Sequence, residues 1–164
     1  MDPLLDWQIM AQSAAKITLA YFLALPIGWD REREAHSMGV RTFPLVAMAS
    51  CGYMLLGELF GSKTADAESR IIQGLVTGIG FIGGGAILKT RGNVHGTATA
   101  ASIWNTGVIG AAVAMGRYDI GIVLSVLNLL TLRLLLPVKQ RLHGPGNGSP
   151  PEDAQPGAGP RDGG

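Results

Sequence analysis

The sequence is poor in the residues that most often carry chemistry. It has one cysteine, three histidines and 15% charged residues, against about 25% charged in an ordinary soluble protein. Cys51 has no partner for an intrachain disulfide. It sits inside an apolar block, where it reads as a small core residue. His36, His95 and His143 stand apart, whereas a zinc site needs several His, Cys or carboxylate ligands together. No metal and no cofactor is expected. There is no GxSxG elbow, and Ser50, Ser102 and Ser125 lie in apolar segments without a histidine or a paired lysine. An enzyme is therefore not expected. The formal charge is +1 and no basic stripe alternates with aromatics, so nucleic acid is not an expected partner.

Glycine, by contrast, is abundant at 24 residues, and apolar sequence is gathered into five blocks between short charged connections. The blocks are Trp7 to Gly28, Phe43 to Leu59, Ile71 to Leu88, Thr97 to Met115 and Ile120 to Leu136. Each holds roughly 17 to 22 residues, enough to cross a bilayer core of about 30 Å. The expected fold is all-α, a polytopic membrane protein of about five transmembrane helices in the lipid bilayer. Pro137 is expected to end the last helix. The first block follows Asp2 and Asp6 rather than Lys or Arg, and it is too long for a signal-peptide apolar region. Residues 143–164 are rich in Pro and Gly with no aliphatic run, so they read as a disordered cytoplasmic tail behind a membrane domain of residues 1–142. Arg31, Arg33, Arg41, Lys89, Arg91 and the C-terminal Arg133, Lys139, Arg141 and Arg161 fall on one side, against Lys63, Arg70 and Arg117 on the other. Basic loops stay cytoplasmic, so the N-terminus is expected outside and the C-terminus inside.

The stretch from Arg70 to Tyr118 is the most distinctive. Two apolar segments flank the loop KTRGNVHG, and their few polar residues include Gln73, Asn93, His95, Thr97, Thr99, Trp104 and Asn105. A polar group beside hydrocarbon is a functional candidate by default. Gly78, Gly80 and Gly83 match GxGxxG, but they lie inside an apolar span and no carboxylate follows about 20 positions on, so a dinucleotide site is not expected. Gly74 with Gly78, and Gly80 with Gly84, repeat at i, i+4 and read as helix-packing faces. Unwinding at Gly83 to Gly85, as in the broken helices of transporters, is the alternative. In the first loop Asp30 is expected to face Arg33, and Arg31 to face Glu34, on a helical extension of the first span. Arg31 or Glu32 meeting Asn93 or His95 is a further expectation. Lys16 lies mid-span and must snorkel or find a partner, with Glu58 the candidate. Trp104 reads as packing, and Asn105 and Asn128 as hydrogen-bonding between helices.

Several motifs in order resemble the MgtC/SapB family of bacterial inner-membrane proteins. They are GWDRE from Gly28, GVRTFPLVAM from Gly39, RIIQGLVTGIGFIGGGAIL from Arg70, and NVHGTATAASIW from Asn93. The resemblance covers about Leu19 to Leu136. Asp30 stands where the family usually has Glu, and Phe43 where a polar residue or His is common. The resemblance implies a helical inner-membrane protein without enzymatic activity, linked to growth in low magnesium and to survival inside phagocytes. It further implies inhibition of the ATP synthase through its membrane part. Carried over by motif, the polar residues implied to matter are Arg31, Glu32, Arg41, Thr42, Arg70, Asn93, Gly96, Thr97 and Trp104, with Asn105 beside them. Virulence-type members carry a C-terminal ligand-binding domain of the ACT type, where this chain has its Gly/Pro tail, so it resembles the short SapB-like members. The expectation is a regulatory membrane protein docking against other membrane helices. A small transporter of Mg2+ or another ion, and a homo-oligomer built on the glycine faces, are the alternatives.

Overall fold

The computed structural model describes residues 6–35, 39–59, 65–90 and 93–142. The expected tail lies outside these residues. Five helices form: α1 (Trp7–Ala35), α2 (Thr42–Leu59), α3 (Ala65–Gly85), α4 (Thr97–Ala114) and α5 (Tyr118–Leu142). Strands β1 (Leu88–Thr90) and β2 (Asn93–His95) make a small antiparallel hairpin between α3 and α4, pairing Leu88 with His95 and Thr90 with Asn93.

Local chemistry sets most of the boundaries. The Asp6 carboxylate accepts from the Gln8 amide at 2.9 Å and opens α1, supplying one of the acceptors that helix-start amides lack. Pro44 falls in the first turn of α2, where its missing N–H does no harm. α4 ends on Gly116, in the left-handed region at φ 72, with the Arg117 amide donating to Ala112 O at 2.8 Å and Gly116 to Val113 O at 3.1 Å. Those two bonds satisfy carbonyls that the helix end leaves open.

Two boundaries differ from the sequence expectation. α3 stops at Gly85, and Leu88 belongs to a strand. The Ala86 and Ile87 amides turn back onto Gly83 O and Gly84 O at 3.0 and 3.1 Å, so the glycine run ends the helix instead of opening a gap within it. Pro137 does not end α5, which continues to Leu142. A proline removes only its own amide bond and crowds the carbonyl four residues back, and the turn beyond it keeps helical geometry. Pro26 is likewise carried inside α1.

The helices alternate in direction. α4 is the centre: it packs on α1, α2, α3 and α5, while α3 packs mainly on α4 and α2 among the described residues. Close approach follows from small residues. A Cβ on Gly110 would collide with Ala47 O and lie 2.9 Å from Ser50 Cβ, and one on Gly28 would lie 2.9 Å from Gly39 O. The buried core is built from Ala20, Ala24, Ala47, Cys51, Ala112, Ala114 and a few larger residues around Phe43 and Ile103. Large apolar side chains point out: Phe22, Leu45, Leu127, Leu134 and Leu135 are all exposed, and Phe81 is 86% exposed. In water such a surface would associate; in a bilayer it is solvated by lipid tails, and helices associate through packing of small residues. Among the described residues two helices are long and apolar enough to cross a membrane by length and composition, α1 over Trp7–Glu34 and α5 over Tyr118–Pro137. α4 is diluted by Thr97, Thr99, Ser102, Asn105 and Thr106, most of them turned inward.

Candidate functional site

At the end of the bundle that holds the C-terminus of α1, the sequence DRERE supplies a charge cluster. Arg31 is 7% exposed, and its Nη2 donates to Asp30 Oδ2 at 2.9 Å and to Glu34 Oε2 at 2.8 Å. The expected Arg31–Glu34 pair is thus present, but the Asp30–Arg33 pair is not. Asp30 instead accepts from Arg133 Nε of α5 at 3.2 Å, and Arg33 lies over the Trp29 ring with its guanidinium carbon 5.2 Å from the centroid. Asp30 therefore ties α1 to α5. Glu32 accepts from the Val40 amide at 3.1 Å and so fixes the entry to α2. Glu32 and Arg31 are held by these partners rather than by His95. Arg31 Nε is buried and has no hydrogen-bond partner among the described residues.

A second polar group lies inside the bundle. Ser102 Oγ donates to Asn128 Oδ1 at 3.0 Å, Asn105 Nδ2 donates to Leu124 O at 3.4 Å, and Ser125 Oγ donates to Leu23 O at 2.6 Å. These bonds stitch α4 to α5 and α5 to α1, the interhelical role expected of Asn105 and Asn128. Asn128 Nδ2 is buried without a partner among the described residues. The expected partner of Lys16 was Glu58, and that expectation is overturned. Lys16 Nζ donates to Ala114 O at 2.6 Å, where a cation meets the open carbonyls and negative dipole end of α4.

The remaining motif residues divide by position. Arg41 is exposed and Thr42 half-buried at the start of α2. Asn93 opens β2, and Gly96 caps α4 at φ 85, where a Cβ would collide with Ala86 O; Thr97 follows, exposed. Arg70 lies near the start of α3, at the opposite end of the bundle, so the structure does not bring it to the Arg31 cluster. Trp104 was read as packing, but it is 49% exposed and lines a surface groove between α3 and α4 with Val76 and Val108. Among the described residues no three His, Cys, Asp or Glu side chains converge on a common point.

The four glycines read as packing faces touch nothing. A Cβ at Gly74, Gly78, Gly80 or Gly84 would have no atom within 4 Å. Among the glycines that do pack against other elements of the chain are Gly28, Gly57, Gly83, Gly96, Gly107, Gly110 and Gly121. Sequence reasoning missed them because spacing along α3 cannot say which side faces α4. Leu75, Ile79 and Gly83 take that side, with Gly83 set against Ala100 O and Ile79 against Gly107.

Comparison with known proteins by sequence identifies a family. A model of the MgtC family matches residues 17–141. YhiD of Escherichia coli K12, provisionally named a magnesium transporter, is 34% identical over 138 residues, which are 80% of this chain and 64% of YhiD. SrpB of Synechococcus elongatus is 36% identical over 129 residues, 71% of each chain. MgtC of Brucella abortus is 31% identical over 136 residues, 83% of this chain and 56% of that protein. The chain thus spans less than two thirds of the YhiD and Brucella MgtC lengths. No solved structure matches it. With a family model covering nearly the whole helical region, and relatives above 30% identity across most of the chain, this protein belongs to the MgtC family of bacterial membrane proteins.

Proposed function

We propose that the chain is a multi-pass protein of the bacterial inner membrane, N-terminus outside, that regulates another membrane protein by direct helix contact. One observation carries the reading. On α3, Gln73, Thr77, Gly80 and Gly84 fall at i, i+4, i+7 and i+11 and share one face. That face is turned away from Leu75, Ile79 and Gly83, which pack on α4, and all four of its residues are exposed. A stripe of small and polar residues aimed into lipid lacks the apolar bulk that lipid-facing positions carry on α5. It is the chemistry of a helix interface, where small residues admit a close backbone and a glutamine supplies a hydrogen bond. The membrane sector of the ATP synthase is the first partner to test, as the family resemblance implies. The Arg31 cluster and the α4–α5 polar seam hold the bundle that presents this face.

The test is ATP-driven proton pumping in inverted vesicles containing or lacking the protein, together with co-purification of the partner. Wild type is expected to lower pumping, and Gly80→Leu to restore it and to release the partner. Unchanged pumping with wild type removes the ATP synthase as target, and partner retention by Gly80→Leu removes the α3 face.

A second reading, transport of Mg2+ or another ion, rests on the name of YhiD. A hard cation wants several oxygen ligands, usually with carboxylates, and Asp30 and Glu34 are already engaged by Arg31. Mg2+ flux into liposomes that hold the purified protein would favour this reading over the first.

A further inference from the structure

A different face of α3 points to a ligand of another kind. Gly74 and Gly78 do not share the outward stripe; they turn toward α2 and line a groove between the two helices, with a volume of about 710 Å³. The middle of the groove is apolar, with Leu45, Val46 and Ala49 on α2 facing Gly74, Gly78 and Ile82 on α3. Its width comes from the two glycines, whose missing side chains leave nothing within 4 Å. One charged residue is among the lining residues, Arg70, at the end where α3 begins, with the exposed Tyr53 about a turn further in. The groove is distinct from the face on which the proposed function rests.

We propose that this groove holds one acyl chain of an anionic phospholipid, with the lipid phosphate against Arg70. Length favours that occupant. From Arg70 to Ile82 the helix rises about 18 Å at ~1.5 Å per residue. One leaflet of hydrocarbon is about 15 Å deep, half of a core of about 30 Å. A partner helix crossing the whole bilayer would outrun the groove, whereas a single acyl chain fills it. Charge selects the headgroup, because a basic residue at the mouth of a cleft between membrane helices attracts anionic lipid. Charge also disfavours a second copy of the chain. A two-fold axis along the membrane normal would place both Arg70 side chains at one depth and close together, a like-charge contact.

The test is native mass spectrometry of the full chain in detergent, titrated separately with phosphatidylglycerol and with phosphatidylcholine of the same acyl chains. Wild type is expected to retain one lipid and to prefer phosphatidylglycerol. Arg70→Gln should lower that preference about fivefold, the effect of one interfacial charge, while leaving phosphatidylcholine binding unchanged. Gly78→Leu should remove retention of both lipids without lowering the melting temperature, since its side chain enters open space. Leu127→Ala, on the exposed face of α5, should change neither lipid. Equal retention of the two lipids by wild type, or full retention by Gly78→Leu, overturns the proposal. So does a doubled mass that Gly78→Leu abolishes, which assigns the groove to a second copy. Loss of partner co-purification in Gly80→Leu bears on the separate Gln73–Gly84 face and leaves this result unaffected.

Discussion

Replacing Gly110 by alanine adds one methyl group at the tightest helix crossing of the bundle. That methyl would collide with the carbonyl oxygen of Ala47 and lie 2.9 Å from Ser50 Cβ, where carbon–carbon contacts settle at about 3.5–4.0 Å. Both neighbours are fixed, one being backbone and the other a buried Cβ on α2, so α2 and α4 must part by on the order of 1 Å. Separation of that size forfeits a quarter to a half of each dispersion contact along the crossing. Overpacking of this kind costs about 1–3 kcal/mol. Against it stands the helix-propensity gain of alanine over glycine, up to about 1 kcal/mol. The net is a destabilisation of up to about 2 kcal/mol, or a fall in melting temperature of up to about 8 °C at this chain length. Gly84→Ala is the matched control. Its methyl meets nothing, so only the backbone gain remains and the melting temperature should rise by up to about 4 °C. The assay is thermal unfolding of the purified protein in one detergent, followed by far-ultraviolet circular dichroism. If Gly110→Ala melts at or above wild type, the α2–α4 crossing is not closed by that glycine and the packing argument is wrong.

Four further changes probe the polar contacts and the α4 cap. Arg31→Ala leaves Glu34 without its partner and Asp30 with only the exposed Arg133 and should cost about 3 kcal/mol, whereas Arg133→Ala, whose side chain is 62% exposed, should cost under about 1 kcal/mol; chemical denaturation in mixed micelles gives both. Lys16→Met keeps the apolar stem but removes the bond to Ala114 O, and the loss of a charged cap should lower stability by about 1.5 kcal/mol and speed hydrogen exchange at the last turn of α4. Gly96→Ala forces a side chain into φ 85 against Ala86 O and should cost about 2 kcal/mol or more, with a matching drop in melting temperature.

Helix number and order were legible because apolar blocks long enough to span a bilayer alternate with charged connections, and nothing in the loops competes with that pattern. The Arg31–Glu34 pair was legible for a similar reason, since i, i+3 spacing on one helix fixes a neighbour without tertiary information. The failures in pairing involve partners on other helices. Lys16 was assigned to a carboxylate by charge complementarity, but the free carbonyl at the end of α4 is equally an acceptor and lies nearer. Asp30 was paired within its own helix, while Arg133, about a hundred residues away in sequence, takes one of its oxygens. Pro137 was read as a stop, yet a single lost amide bond near a helix terminus is not enough to unwind the turn after it.

The glycines follow the same logic and carry it into function. In a bundle centred on α4, each surrounding helix must offer α4 its smallest face. For α2 that face is Ala47 and Ser50; for α3 it is Gly83, flanked by Ile79. Once α3 has given that side to α4, its other glycines have no work inside the chain. They are nonetheless arranged as two separate faces, one beside a cationic groove and one beside Gln73 and Thr77. α3 rests mainly on two helices, α4 and α2. Glycine within a helix weakens it by about 1 kcal/mol relative to alanine, so four unpacked glycines on a helix at the side of the bundle lower the stability of the isolated chain. The counterweight must come from outside, and the two faces differ enough in shape and charge to take different occupants. Alanine at Gly74, Gly78, Gly80 and Gly84 together should therefore stabilise the purified chain in detergent. In the membrane it should weaken binding on both faces. A quadruple variant that melts higher and still holds both lipid and partner as wild type does would show that these glycines serve neither.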